Sequence, residues 1–136
     1  KIYPMNPRAN TYHRESRTLE LDYSDDTAAQ LPAELLRVFS PSAEVRGHSD
    51  EERVLQTGKK YVEIQSLEAI GNYAIRIVFD DGHDTGIYSW GFLHDLVARQ
   101  NEYWQDYLTE LKVANASRLP NVPIGQWTPP RDDDPS

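Results

Sequence analysis

The spacing of apolar residues changes three times along the chain, and each change predicts a different element. Between residues 17 and 31, Leu19, Leu21 and Tyr23 alternate with Glu20 and Asp22. That is the two-residue period of a strand with one buried face. Ser24-Asp25-Asp26 supplies turn chemistry, and Thr27 to Leu31 reads as the returning strand of a hairpin. Pro32 then opens PAELLRVF, where Leu35, Leu36 and Phe39 share one side of a short helix. Proline suits the first turn of a helix, and Glu34 suits the positive end of its dipole. Pro41 ends the helix by keeping Ser40 out of the helical region.

Alternation returns after a polar loop. Val62, Ile64 and, past an irregularity, Leu67 define one strand, and Tyr73, Ile75, Ile77 and Phe79 define the next, with Gly71-Asn72 turning between them. Asp81-Gly82 signals a second hairpin leading into TGIYSW. The period then lengthens. Ser89 caps a helix carrying Phe92, Leu93, Leu96 and Val97, and a further helical segment from Asn101 carries Tyr103, Trp104, Tyr107, Leu108 and Leu111. Strands precede helices without strand–helix–strand alternation. The expected class is α+β: small antiparallel sheets or hairpins, a short helix after the first hairpin, and C-terminal helices. Residues 1–11, with two prolines and no period, read as a flexible arm; 12–114 read as the folded domain; 115–136, proline-rich and acidic, read as a tail.

Composition narrows the function classes. At 136 residues the chain has one domain's length, and its 8 Tyr, 3 Trp and 3 Phe suffice for one core. A mean hydropathy of −0.70 fits an ordered centre with polar ends. The net charge is −8 and no segment concentrates Lys or Arg, so nucleic acid and anionic membrane surfaces are poor partners. The absence of cysteine removes disulfides, thiolate metal sites and a cysteine nucleophile. No apolar run has the length of a membrane span and no signal peptide opens the chain, which makes the cytoplasm the expected location. Met5 reads as a native start behind added residues.

Four segments taken together, SPSAEVRGH, LQTGK, GNYA and FDDGHDTGIY followed by Trp90, are a specific signal. From about residue 17 to about residue 111 the chain resembles the gamma-butyrobetaine hydroxylase-like N-terminal domain, a domain of unknown function. The resemblance implies an accessory module. In large eukaryotic enzymes such a domain precedes an iron- and 2-oxoglutarate-dependent catalytic domain and is not the catalyst. Related copies are short stand-alone bacterial proteins, or are joined to P-loop scaffolds of iron–sulfur assembly. The zinc-bearing relatives hold one zinc through three closely spaced cysteines and a histidine. At those positions this chain has Ser40, Ser42, Val45 and His83. A protonated serine hydroxyl is a poor zinc ligand and valine is none, so the resemblance implies a lost zinc site with His83 as the retained ligand position, and no cofactor.

Two readings of that segment stand beside each other. In one, Ser40 or Ser42 hydrogen-bonds to backbone and to His83, closing the same loops without metal. In the other, Ser42, Arg46, His48 and His83 form a functional pocket. His83, beside Asp80, Asp81 and Asp84, is expected to hold its proton more readily than free imidazole. The fragments His13-Arg14-Glu15 and His48-Ser49-Asp50 formally match half of an iron facial triad, with His83 or His94 as a third ligand, but that chemistry requires an eight-stranded jelly roll. QTGKK is too short for a phosphate loop, and no G-x-S-x-G elbow is present. The aromatic stripe Trp90, Phe92, Tyr103, Trp104 and Tyr107 reads as core first and partner surface second. Trp127 has no strand or helix partner in the pattern, so it folds back or docks elsewhere. The expected function is a non-catalytic, protein-binding accessory domain linked by resemblance to iron–sulfur assembly or 2-oxoglutarate oxygenases. A homodimer is compatible with it. The alternatives are a metal module using His83 with His48 or nearby carboxylates, and a small enzyme.

Overall fold

A computed structural model describes residues 6–24, 27–47 and 53–120. Their order is β1 (Ala9–His13), β2 (Thr18–Ser24), β3 (Thr27–Pro32), α1 (Ala33–Val38), α2 (Ala43–Arg46), β4 (Ile64–Ile70), β5 (Ala74–Phe79), β6 (Gly86–Ser89), α3 (Trp90–Ala98) and α4 (Gln100–Val113). The strands form two antiparallel three-stranded sheets, β1-β2-β3 and β4-β5-β6, so the chain is α+β.

The strict alternation in β2 has the predicted result: Leu19, Leu21 and Tyr23 point inward, with Leu19 opposite Leu31 and Leu21 opposite Ala29. Pro32 ends β3 in an extended conformation (φ −62°, ψ 141°) and hands the chain to α1, where its missing N–H costs no helical hydrogen bond. The irregularity in β4 is a shift of register between Ile64 and Ser66, after which the β4–β5 turn needs Gly71 at φ 53°. Ser89 caps α3 by accepting from the Phe92 N–H at 3.1 Å. Both sheets contribute to one core in which Leu19, Leu36, Ile77, Tyr88, Leu93 and Leu96 have no exposed surface, and Val38, Tyr107 and Leu111 continue it beneath α4. Each such aliphatic side chain contributes about 1.5–3 kcal/mol of burial.

Three boundaries differ from the sequence expectation. The arm is shorter than residues 1–11, because β1 pairs Ala9 with Asp22 and Thr11 with Glu20. An edge strand held by backbone bonds needs no alternation, and β1 is largely exposed. The tail is also shorter at its start. Gly58 N–H donates to Ser117 O (3.0 Å) and Lys60 N–H to Arg118 O (2.9 Å). Arg118 makes a two-pronged bond to the buried Glu34 (2.8 and 2.7 Å) and stacks over Trp104. Finally, the segment after Pro41 contains α2, a single turn stabilised by burial of Val45. Trp127 lies outside the described residues.

Candidate functional site

α1 and the β5–β6 hairpin meet at their ends. Helix α1 is apolar on nearly every side, yet it also buries Glu34 and Arg37. Buried charges demand partners. Arg37 Nε donates to Asp81 Oδ2 at 2.8 Å and its Nη1 to Gln56 Oε1 at 2.9 Å. Lys59 Nζ reaches the same Asp81 oxygen at 2.6 Å, while Asp81 Oδ1 accepts from the His83 N–H at 3.1 Å. Burial alone would raise the Asp81 carboxyl. Lys59, the His83 N–H and Arg37 together outweigh that and hold it at about 2. Gly82 at φ 91° turns the tip, and Phe79 N–H donates to His83 O at 2.9 Å.

This tip directs the His83 imidazole inward. Ser40 Oγ lies 2.8 Å from His83 Nε2, and Ser42 Oγ lies 3.4 Å from the same nitrogen. Ser42 N–H donates to Ser40 Oγ at 3.3 Å. Ser40, Ser42 and His83 are all buried. Gly86 completes the enclosure: a Cβ there would sit 2.6 Å from Ser40 Oγ and 3.0 Å from Tyr88 Cε1. Beside it, Tyr88 OH donates to Leu36 O at 2.5 Å, and burial raises its phenol far above the ordinary value.

The first of the two sequence readings therefore describes the geometry. Serine hydroxyls and His83 close the α1–hairpin junction. Arg46 does not join them; it is exposed and lines a neighbouring groove. His48 lies outside the described residues. The expectation that His83 holds its proton more readily is reversed: burial, then the positive Arg37, lowers its pKa, and Glu44 and Asp81 do not compensate. The three aspartates face separate partners. Asp80 accepts from the Glu63 N–H, Asp81 binds Arg37 and Lys59, and Asp84 lies against Arg76. Arg37 and Gly86 were missed from the sequence, where one is a polar residue on a short helix and the other a glycine with no turn signal.

Chemically, a serine hydroxyl 2.8 Å from an imidazole has the spacing of a nucleophile and base. Two features oppose that use. Ser40 has no exposed surface, and Glu44 Oε2, the carboxylate facing His83 Nδ1, stands 3.9 Å away, beyond hydrogen-bond length. Zinc does not fit either. The groups that face His83 Nε2 are two serine hydroxyls, poor zinc ligands, and the chain has no cysteine. Among the described residues no three His, Asp or Glu side chains converge as a metal site. His13 pairs instead with Glu20 at 2.8 Å, and His94 packs against Tyr23.

Between α2, α3 and α4 lies a groove of about 500 Å³ that also touches Ser40. Phe39, Phe92 and Tyr103 form its apolar surface, and Arg46, Arg53 and Arg99 its cationic wall. The aromatic stripe divides: Tyr107 is fully buried in the core, while Phe92 and Tyr103 are half-buried and line the groove. No helix among the described residues is long and apolar enough to cross a membrane.

The family model described as gamma-butyrobetaine hydroxylase-like, N-terminal, matches residues 10–94. The chain belongs to this gamma-butyrobetaine hydroxylase-like N-terminal family. The matched span runs from β1 into α3 and contains the whole Ser40–His83 junction. Comparison with curated proteins gives no match. Among solved structures, two proteins determined by solution NMR are similar. One has 45% identity and a TM-score of 0.74, with 90% of this chain and 96% of that chain covered. The other has 42% identity and a TM-score of 0.72, with 96% and 100% covered. A third, a crystal structure of a protein of unknown function from Acidithiobacillus ferrooxidans, described as a member of the DUF971 family, has 32% identity and a TM-score of 0.59, with 72% and 99% covered.

Proposed function

We propose that this member of the family is a non-catalytic accessory domain that acts by binding another protein. The observation that carries this reading is the contrast in accessibility. The serine–histidine pair that could do chemistry is sealed, whereas the open feature beside it combines aromatic rings with arginines, the residue types that dominate protein interfaces. The family's link to iron–sulfur assembly and to 2-oxoglutarate oxygenases directs the first trials of partners. The expected result is a stoichiometric complex with one such protein at physiological salt, together with no labelling of Ser40 by a fluorophosphonate probe on the folded chain. Labelling at Ser40, or turnover lost on Ser40→Ala with the fold retained, would replace this reading with a hydrolase.

A further inference from the structure

Within that interaction reading, on which this inference rests, we propose that the α2–α3–α4 groove receives an acidic peptide segment bearing one aromatic side chain. The chain as a whole carries −8, and the groove is lined by Arg46, Arg53 and Arg99 with Asp106 and Glu110, so the charge it can offer a partner depends on which arginines are already paired. Two of these arginines are already held in place. Arg53 pairs with Glu110, donates to Val38 O at 3.1 Å and lies 4.4 Å over the Phe39 ring. Arg99 pairs with Asp95 and Glu102 and lies 5.0 Å over the Tyr103 ring, whose hydroxyl donates to Asp95 at 2.5 Å.

Arg46 differs. Among the described residues it is the arginine with neither an ion pair nor a ring contact, and it stands exposed at the end of α2 on the groove's rim. An incoming carboxylate takes its guanidinium in two-pronged fashion. The peptide's aromatic ring packs on Phe39, Phe92 and Tyr103. Phe39 and Tyr103 already meet edge-on, with centroids 4.9 Å apart, the mutual geometry that aromatic rings prefer. Exposed Asp106 supplies an acceptor for a backbone N–H, which favours a peptide over a small free carboxylate.

The test uses the full chain and three dye-labelled peptides: one phenylalanine flanked by glutamates, the same peptide with serine replacing phenylalanine, and the phenylalanine peptide with lysines replacing glutamates. The expected order places the acidic phenylalanine peptide tightest, by roughly tenfold or more over both controls. Arg46→Glu weakens it roughly tenfold, whereas Lys112→Glu, the same charge change at an exposed α4 position outside the groove, does not. Amide shifts on titration fall on α2, α3 and the first half of α4. Equal binding of the three peptides, absence of binding, equal effects of Arg46→Glu and Lys112→Glu, or shifts on another face would each overturn the proposal. A natural partner complex that survives Arg46→Glu would reject the groove while leaving the interaction reading intact.

Discussion

The Ser40–Ser42–His83 junction and the arginine groove share Ser40, yet they use polar residues in opposite ways. At the junction the polar groups turn inward and bond to one another: hydroxyls to the imidazole Nε2, Asp81 to Arg37 and Lys59, the His83 N–H to Asp81. In the groove, guanidiniums lie on aromatic faces and Arg46 points outward without a partner among the described residues. Such mutual pairing of buried groups suits a structural fastener, because a buried polar group left without a partner is costly. An exposed, uncommitted cation beside half-buried rings suits recognition, because its binding energy is still available.

This contrast can be broken by substitution. The largest effect is expected for Asp81→Ala, which leaves Arg37 buried with Gln56 as its remaining side-chain partner; urea unfolding should lose about 3 kcal/mol. Gly86→Ala comes next, at about 2 kcal/mol, since its methyl carbon must displace Ser40 Oγ. Ser40→Ala, which removes the 2.8 Å bond to His83, should cost about 1 kcal/mol, and Ser42→Ala, at 3.4 Å, less. Arg46→Ala should stay within about 0.5 kcal/mol of the parent. A stability loss at Arg46 matching that at Ser40 would erase the distinction between fastener and recognition surface.

Acid titration sharpens the same comparison. The folded pKa of His83 lies below the ordinary value of 6.5, so the unfolded chain takes the proton first. Stability is therefore full above 6.5 and declines as pH falls through the lowered folded value. Asp81, held at about 2 against 3.8, adds a second loss as pH falls from 3.8 toward 2. Urea midpoints measured from pH 8 to pH 3 should show the upper decline in the parent and its removal in His83→Gln. An unchanged profile in that variant would mean that His83 titrates normally and that the junction is open to water.

Chain pattern alone reached much of this. The alternation of Leu19, Leu21 and Tyr23, the glycine turns at Gly71 and Gly82, the proline before α1 and the Ser89 cap all act within a few residues, and each appears in the fold as expected. The serine–histidine bond was also anticipated, through the family position of His83. What escapes such a reading lacks local signals: β1 is an edge strand without buried alternation, and Ser117 and Arg118 are tied by bonds to distant partners.

The sequence by itself determined the α+β class, the β2–β3, β4–β5 and β5–β6 hairpins, the helices α1, α3 and α4, and the absence of thiolate chemistry, because periodicity, turn residues and ligand identity are local properties. Only the tertiary structure decided that His83 is depressed rather than elevated, that Arg37 holds Asp81, and that Gly86 is small to admit Ser40. It also decided that Arg46 leaves the junction for the groove. Burial and pairing across 43 or 44 residues of chain, as between Ser40 and His83 or Arg37 and Asp81, set the local charge balance. No window along the sequence contains both partners.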